Sequence, residues 1–99
     1  GYQVKAAEGV VGRVADFILD EDDWSIRYAV VDTGGFLTGR KVLLSVQWLG
    51  ELDWQSATFE AALTSEQLKM SPAYDPKAPI NREYEIQLFD YYGRPKYWR

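Results

Sequence analysis

The sequence predicts a mostly β fold: a small β-barrel of about five or six short antiparallel strands, then a short helix and an aromatic helical C-terminal extension. Over the first two thirds of the chain, apolar residues alternate in runs of strand length, closed off by Asp, Gly and Ser. After Leu63 the alternation stops and helix-capping signals replace it. The last 28 residues hold seven of the fifteen aromatics, too many for a solvated tail.

Residues Val10 to Leu19, VVGRVADFIL, set Val10, Gly12, Val14, Asp16 and Ile18 against Val11, Arg13, Ala15, Phe17 and Leu19, a strand largely apolar on both faces. DEDD at Asp20 to Asp23 is a run of charge that no core accepts, so the chain turns there. Trp24 to Asp32, rich in Ile, Tyr and Val, returns as the second arm of a hairpin. Lys41 to Val46 is a third strand, with Leu43 on one side and Val42, Leu44 and Val46 on the other. Leu49 to Trp54 and Ala57 to Leu63 form a second hairpin around Gln55 and Ser56. About eight strands are needed before a barrel interior can hold a small ligand, so this interior is expected to be solid, with no small-molecule substrate and no cofactor inside it.

Thr64 with Gln67 three residues on is a capping box that opens a short helix, and Ser71-Pro72 stops it. Three more prolines follow, at Pro76, Pro79 and Pro95. Between them, Asn81 caps a helix running to Tyr92, with Ile80, Tyr84, Leu88 and Tyr91 along one side and Gly93 as terminator. The chain divides accordingly into a barrel domain, residues 1–71, and a Pro- and Tyr-rich extension, residues 72–99, docking on that barrel or on a second protomer.

At 99 residues one small domain is expected. The composition, 46% hydrophobic and 26% charged, is that of an ordered soluble globule, and no apolar run approaches the ~18 residues that span a bilayer. The sequence opens at Gly1 rather than Met, so a missing secretory leader carries little weight. Without cysteine there is no disulfide and no thiolate nucleophile, which fits a reducing, cytoplasmic location. Without histidine the commonest general base near neutral pH and the commonest zinc ligand are missing. A net charge of −4 disfavours a surface that tracks phosphates, so nucleic acid is not the expected partner.

Several motifs come close without matching. A phosphate loop needs Lys and then Ser or Thr directly after its second glycine, opening a helix; here Gly39 is followed by Arg40, Lys41, Val42 and Leu43, and a strand. Gly34, Gly35 and Gly39 instead let the chain reverse between strands with Phe36 and Leu37 at the tip, either capping the barrel mouth or facing a partner. An EF-hand loop started at Asp20 would want Asp or Asn at its fifth position and Gly at its sixth, and finds Trp24 and Ser25. Carboxylate pairs such as Asp22 with Asp23, or Glu83 with Glu85, could serve a glycosidase only within a cleft of opposed environments. Asp32 is expected to pair with Arg27 or Arg40 as a structural ion pair.

GVVGRVADFILDEDDWSIRYAVVDTGGFLTGRKVLLS, residues 9–45, resembles the PRC-barrel domain, the fold of the cytoplasmic part of the photosynthetic reaction centre H subunit. Gly12, Asp16, Asp20, Trp24, Arg27, Tyr28, Asp32, Gly34, Gly39, Arg40 and Ser45 fall on its pattern, while Phe36 stands where many relatives carry Trp. LTSEQLKMSPAYDP and REYEIQLFDYYGRPKYW are similar to extensions of bacterial stand-alone PRC-barrel proteins, so the resemblance spans nearly the whole chain. It implies an assembly or docking module. One such domain packs under a membrane photosystem in support of electron transfer, and another belongs to a ribosome maturation factor that engages a ribosomal protein. The resemblance brings no catalytic residue set, and the transmembrane helix of the H subunit has no counterpart in these residues. Stand-alone relatives often carry a second similar unit, and no internal repeat is present here.

The leading expectation is a non-enzymatic protein-interaction or assembly module, linked through the resemblance to photosynthetic electron-transfer complexes. Its expected contacts are Phe36, Leu37, Tyr84, Leu88, Tyr91, Tyr92, Tyr97 and Trp98, and its first partner is a second copy of itself in a homodimer. An RNA-processing or ribosome-assembly module is the alternative, motivated by Arg82, Arg94, Lys96 and Arg99 among aromatics that can stack on bases. A small hydrolase or metal-binding protein is third.

Overall fold

The computed structural model describes residues 2–20, 22–34, 40–75, 77, 80–96 and 98. The strands are β1 (Gln3–Ala6), β2 (Gly9–Leu19), β3 (Ile26–Asp32), β4 (Lys41–Ser45), β5 (Leu49–Asp53) and β6 (Thr58–Ala61). A 3-10 turn (Val46–Trp48) joins β4 to β5, and the helices are α1 (Ser65–Lys69) and α2 (Arg82–Tyr92). The expected tip residues Phe36 and Leu37, and Tyr97 in the tail, lie outside the described residues.

One six-stranded sheet runs β4-β3-β2-β1-β6-β5. Its pairs are antiparallel except β1 with β6, which is parallel, so the barrel is mixed rather than all-antiparallel. β1 escapes a periodicity reading because four residues are too few for alternation to register, yet it carries the fully buried Val4 and links the β2-β3-β4 meander to the β5-β6 hairpin. Hydrogen bonds do not close the ladder: β4 and β5 are its edges, and the 3-10 turn carries the chain round the corner between them. The outer edge of β4 is partly covered, since Val42 bridges to Ala73 and the Tyr74 amide donates to the Lys41 carbonyl at 2.9 Å.

Strand boundaries shift where side chains capture the backbone. β3 starts at Ile26 rather than Trp24, because the Asp20 and Asp23 carboxylates accept the Asp22 and Ser25 amides and hold a turn. β5 ends at Asp53, whose carboxylate accepts the Gln55 amide at 3.0 Å, leaving Trp54 in the turn. β4 ends at Ser45, whose hydroxyl accepts the Gln47 amide and starts the 3-10 turn where Val46 was expected to continue the strand. Asp32 does not form the expected ion pair: it accepts the Gly34 amide at 2.8 Å, while Arg40 donates to the Lys69 carbonyl. Gly12 is a required glycine, since a Cβ there would stand 2.6 Å from the Asp32 carbonyl oxygen on β3.

Both helices begin and end where local rules place them. Thr64 and Gln67 form the reciprocal capping box, the Asn81 side chain accepts the Tyr84 amide at 2.8 Å, and Gly93 closes α2 at φ 64°. The buried face of α2 differs from the expected stripe. Glu85, Leu88, Phe89 and Tyr92 face inward at helical spacing, while Ile80 and Tyr84 pack partly buried beside them and Tyr91 stays 39% exposed. Phe89, unassigned by the sequence reading, sits centrally, edge-on to Trp48, Trp98 and Tyr28 with ring centroids 5.0, 5.3 and 6.4 Å away. The strands, Leu68 of α1 and the inner face of α2 thus share one core.

Candidate functional site

The β2–β3 turn is rigidly wired. The Asp20 amide donates to the Ser25 carbonyl and the Trp24 amide to the Asp20 carbonyl, both at 2.7 Å. The Asp20 carboxylate accepts from the Asp22 amide at 2.9 Å and, through its other oxygen, from Arg27 Nε at 2.9 Å. Asp23 accepts from the Ser25 amide and hydroxyl at 2.9 and 2.7 Å and meets a terminal nitrogen of Arg27 at 3.3 Å. The Asp22 amide first, and Arg27 second, hold the Asp20 carboxyl below its ordinary value; the Ser25 hydroxyl and then its amide do the same for Asp23. These carboxylates organise a turn, and the Asp22 carboxylate makes no hydrogen bond or ion pair among the described residues.

Around this charge stands apolar surface. Leu19 and Ile26 are cross-strand partners at the last rung of the hairpin, 49% and 44% exposed, and Trp24 beside them is 72% exposed. Trp24 also has φ 60°, a left-handed conformation that costs a bulky residue of the order of 1 kcal/mol and favours glycine or asparagine. An exposed aromatic held in a strained backbone is the feature here that core packing does not account for.

Next to the turn, a cleft of about 540 Å³ opens between the hairpin and the start of α2; Leu19, Asp20, Asp22 and Asp23 line it from the hairpin, and Arg82 and Glu85 from α2. Glu85 is its buried floor: the Tyr28 hydroxyl donates to its carboxylate at 2.5 Å, and Arg82 approaches the other oxygen at 3.7 Å. The Arg82 guanidinium lies 4.1 Å over the Trp98 ring. This constellation ties α2 to β3. The sequence reading names Glu85 only as one of a carboxylate pair with Glu83; its spacing to Leu88, Phe89 and Tyr92 is the signal that it faces inward.

Of the expected contact residues, Leu88 is fully buried and Tyr92 nearly so, both within the core of this chain. The Tyr92 hydroxyl has no hydrogen-bond partner of good geometry among the described residues, although the Ser71 hydroxyl lies beside it, and burial pushes its pKa up. Tyr84 is partly buried, its hydroxyl donating to the Pro72 carbonyl at 3.3 Å, and burial foremost pushes its pKa up to about 12. Tyr91 ties α2 to α1 by donating to the Gln67 carbonyl at 2.7 Å, and its pKa too is raised, chiefly by desolvation. Trp98 packs on Phe89. Of the described residues expected as contacts, Tyr91 alone is exposed, whereas the hairpin end exposes Leu19, Trp24 and Ile26, which the sequence reading passes over because Trp24 and Ile26 look like strand interior.

The basic residues of the tail are engaged locally. Arg82 covers Trp98, Arg94 donates to the Ala62 carbonyl at 2.9 Å, and Lys96 pairs with Asp90 at 2.6 Å; Arg99 lies outside the described residues. No group of three or more acidic side chains among the described residues is placed to hold a metal ion. None of the described helices is long and apolar enough to cross a membrane.

The family model of the PRC-barrel domain matches residues 3–57, from β1 through the β5–β6 turn. Comparison with curated proteins yields no match. The matched span exceeds half the chain and covers five strands of the six-stranded sheet, so this chain belongs to the PRC-barrel domain family.

Proposed function

We propose that this domain is a non-enzymatic docking module for protein assembly, and that the end of the β2–β3 hairpin is its contact surface. The observation that carries this reading is the exposed set Leu19, Trp24 and Ile26 on a turn fixed by side-chain hydrogen bonds. A preordered apolar surface binds without the entropy of ordering a loop. Membership of the PRC-barrel family is in keeping with an assembly role and assigns no partner. The RNA reading is weaker on this geometry, because Arg82 and Lys96 are engaged within the tail and Arg94 with the Ala62 carbonyl.

Self-association and docking of another protein are tested side by side. Solution mass would be compared between the wild type and the variant Leu19→Thr/Trp24→Asn/Ile26→Thr. In the native host, a photoreactive residue in place of Asp22 would be compared with and without the same three substitutions. The reading expects a smaller mass or a lost set of crosslinks in the variant. It is overturned if mass and crosslinks are both the same in the two backgrounds.

A further inference from the structure

We propose, resting on the docking reading above, that the hairpin end takes a protein segment in which Arg or Lys stands beside apolar side chains. The centre of the surface is apolar: the exposed Leu19–Ile26 rung, with the exposed Trp24 two residues before Ile26 at the same end of the hairpin. Its border is anionic. Asp20, Asp22 and Asp23 stand in the turn, and Arg27 is shared between Asp20 and Asp23, leaving Asp22 without an ion pair among the described residues. A guanidinium or ammonium arriving here gains the carboxylates at the rim and the face of an exposed indole, while its apolar neighbours cover Leu19 and Ile26.

Charge complementarity decides among occupants. A phosphate backbone would meet carboxylates rather than cations. A second copy presenting the same hairpin would set one acidic turn against another, a like-charge contact that opposes a symmetric pairing. A bare cation would leave Leu19 and Ile26 uncovered. A segment with both cationic and apolar residues satisfies the whole surface.

The test uses the full chain and three labelled peptides: one alternating Arg and Leu, one alternating Glu and Leu, and one of Arg alone, with binding followed by fluorescence anisotropy at low and raised salt. The Arg-Leu peptide is expected to bind and to weaken with salt. Trp24→Asn should weaken it about two- to fivefold, the size of an exposed cation–π contact. Asp22→Asn should weaken it and flatten its salt dependence, an independent readout on an exposed position. The Arg-only peptide should bind more weakly, because it leaves Leu19 and Ile26 uncovered, and should lose a similar factor with Trp24→Asn. Equal binding of the Arg-Leu and Arg-only peptides, or an Arg-Leu affinity unmoved by Trp24→Asn, would reduce the effect to unspecific attraction and overturn the proposal. Binding of the Glu-Leu peptide as tight as Arg-Leu, or no binding of any peptide, would overturn it as well. If the peptides fail while the crosslinks at position 22 still depend on Leu19, Trp24 and Ile26, the docking reading stands and only the partner chemistry falls.

Discussion

The Tyr28 hydroxyl donates to the Glu85 carboxylate at 2.5 Å, and both groups are buried at the junction between β3 and α2. The bond ties β3 to α2 beside the Arg82 ion pair of Glu85, and its two halves depend on each other. Tyr28→Phe leaves a buried carboxylate short of a donor and should cost about 1–3 kcal/mol in denaturant unfolding. The double variant Tyr28→Phe/Glu85→Leu should cost less than the sum of its single variants. Strictly additive losses would show that the two groups are not coupled.

Trp24 tests the strained backbone directly. Replacing it with Asn, which tolerates φ near +60°, should leave stability unchanged or raise it by up to ~1 kcal/mol. A clear drop in thermal midpoint would mean that the indole packs for the fold rather than for a partner.

Gly12 offers the opposite case. Gly12→Ala drives a Cβ to within 2.6 Å of the Asp32 carbonyl and 2.8 Å of the Val31 side chain. Calorimetry should show a loss of about 1–3 kcal/mol, the usual result of overpacking. A wild-type midpoint would mean that β2 and β3 can part without loss.

Acid should loosen the hairpin turn. Asp20 and Asp23 have folded pKa values below their ordinary 3.8, so the stability they contribute is present above that value and is lost as pH falls through the lower folded values. Asp20→Asn should therefore flatten the acid limb of a stability-versus-pH curve while lowering stability at neutral pH. An acid limb as steep as the wild type's would remove Asp20 from the account.

Alkali acts through the raised tyrosines, Tyr84 among them. The folded Tyr84 pKa of about 12 exceeds the ordinary 10.0, so the unfolded chain ionises first and stability falls as pH rises between those values. Tyr84→Phe should flatten that limb, as read by unfolding at a series of alkaline pH values. A limb unchanged in the variant would assign it to other groups.

What the sequence revealed was what neighbouring residues decide. The Thr64–Gln67 capping box, the Asn81 cap and the Gly93 terminator each act within one turn, and each is where local chemistry puts it. The meander β2-β3-β4 follows from long alternating runs. Tertiary partners decide the rest. Nothing in QVKA announces that β1 will pair in parallel with β6, and nothing local marks Glu85 as buried until Tyr28 arrives from β3. Trp24 was hidden by its own propensity: aromatic and next to Ser25 and Ile26, it reads as strand, and only the side-chain capture of backbone amides by Asp20 and Asp23 turns it out.

The place of β1 between β2 and β6 also sets the order in which the molecule can be made. The meander closes through contacts near in sequence, but Gln3 waits for Thr58, so β1 needs β6, more than fifty residues on, to complete its ladder. A late β1–β6 ladder would give substitutions of Phe59 on β6 small φ-values and substitutions of Val31 on β3 large ones. The joint that unites the two halves of the barrel is then a latecomer to folding, and the chain remains an open, adhesive meander until it forms.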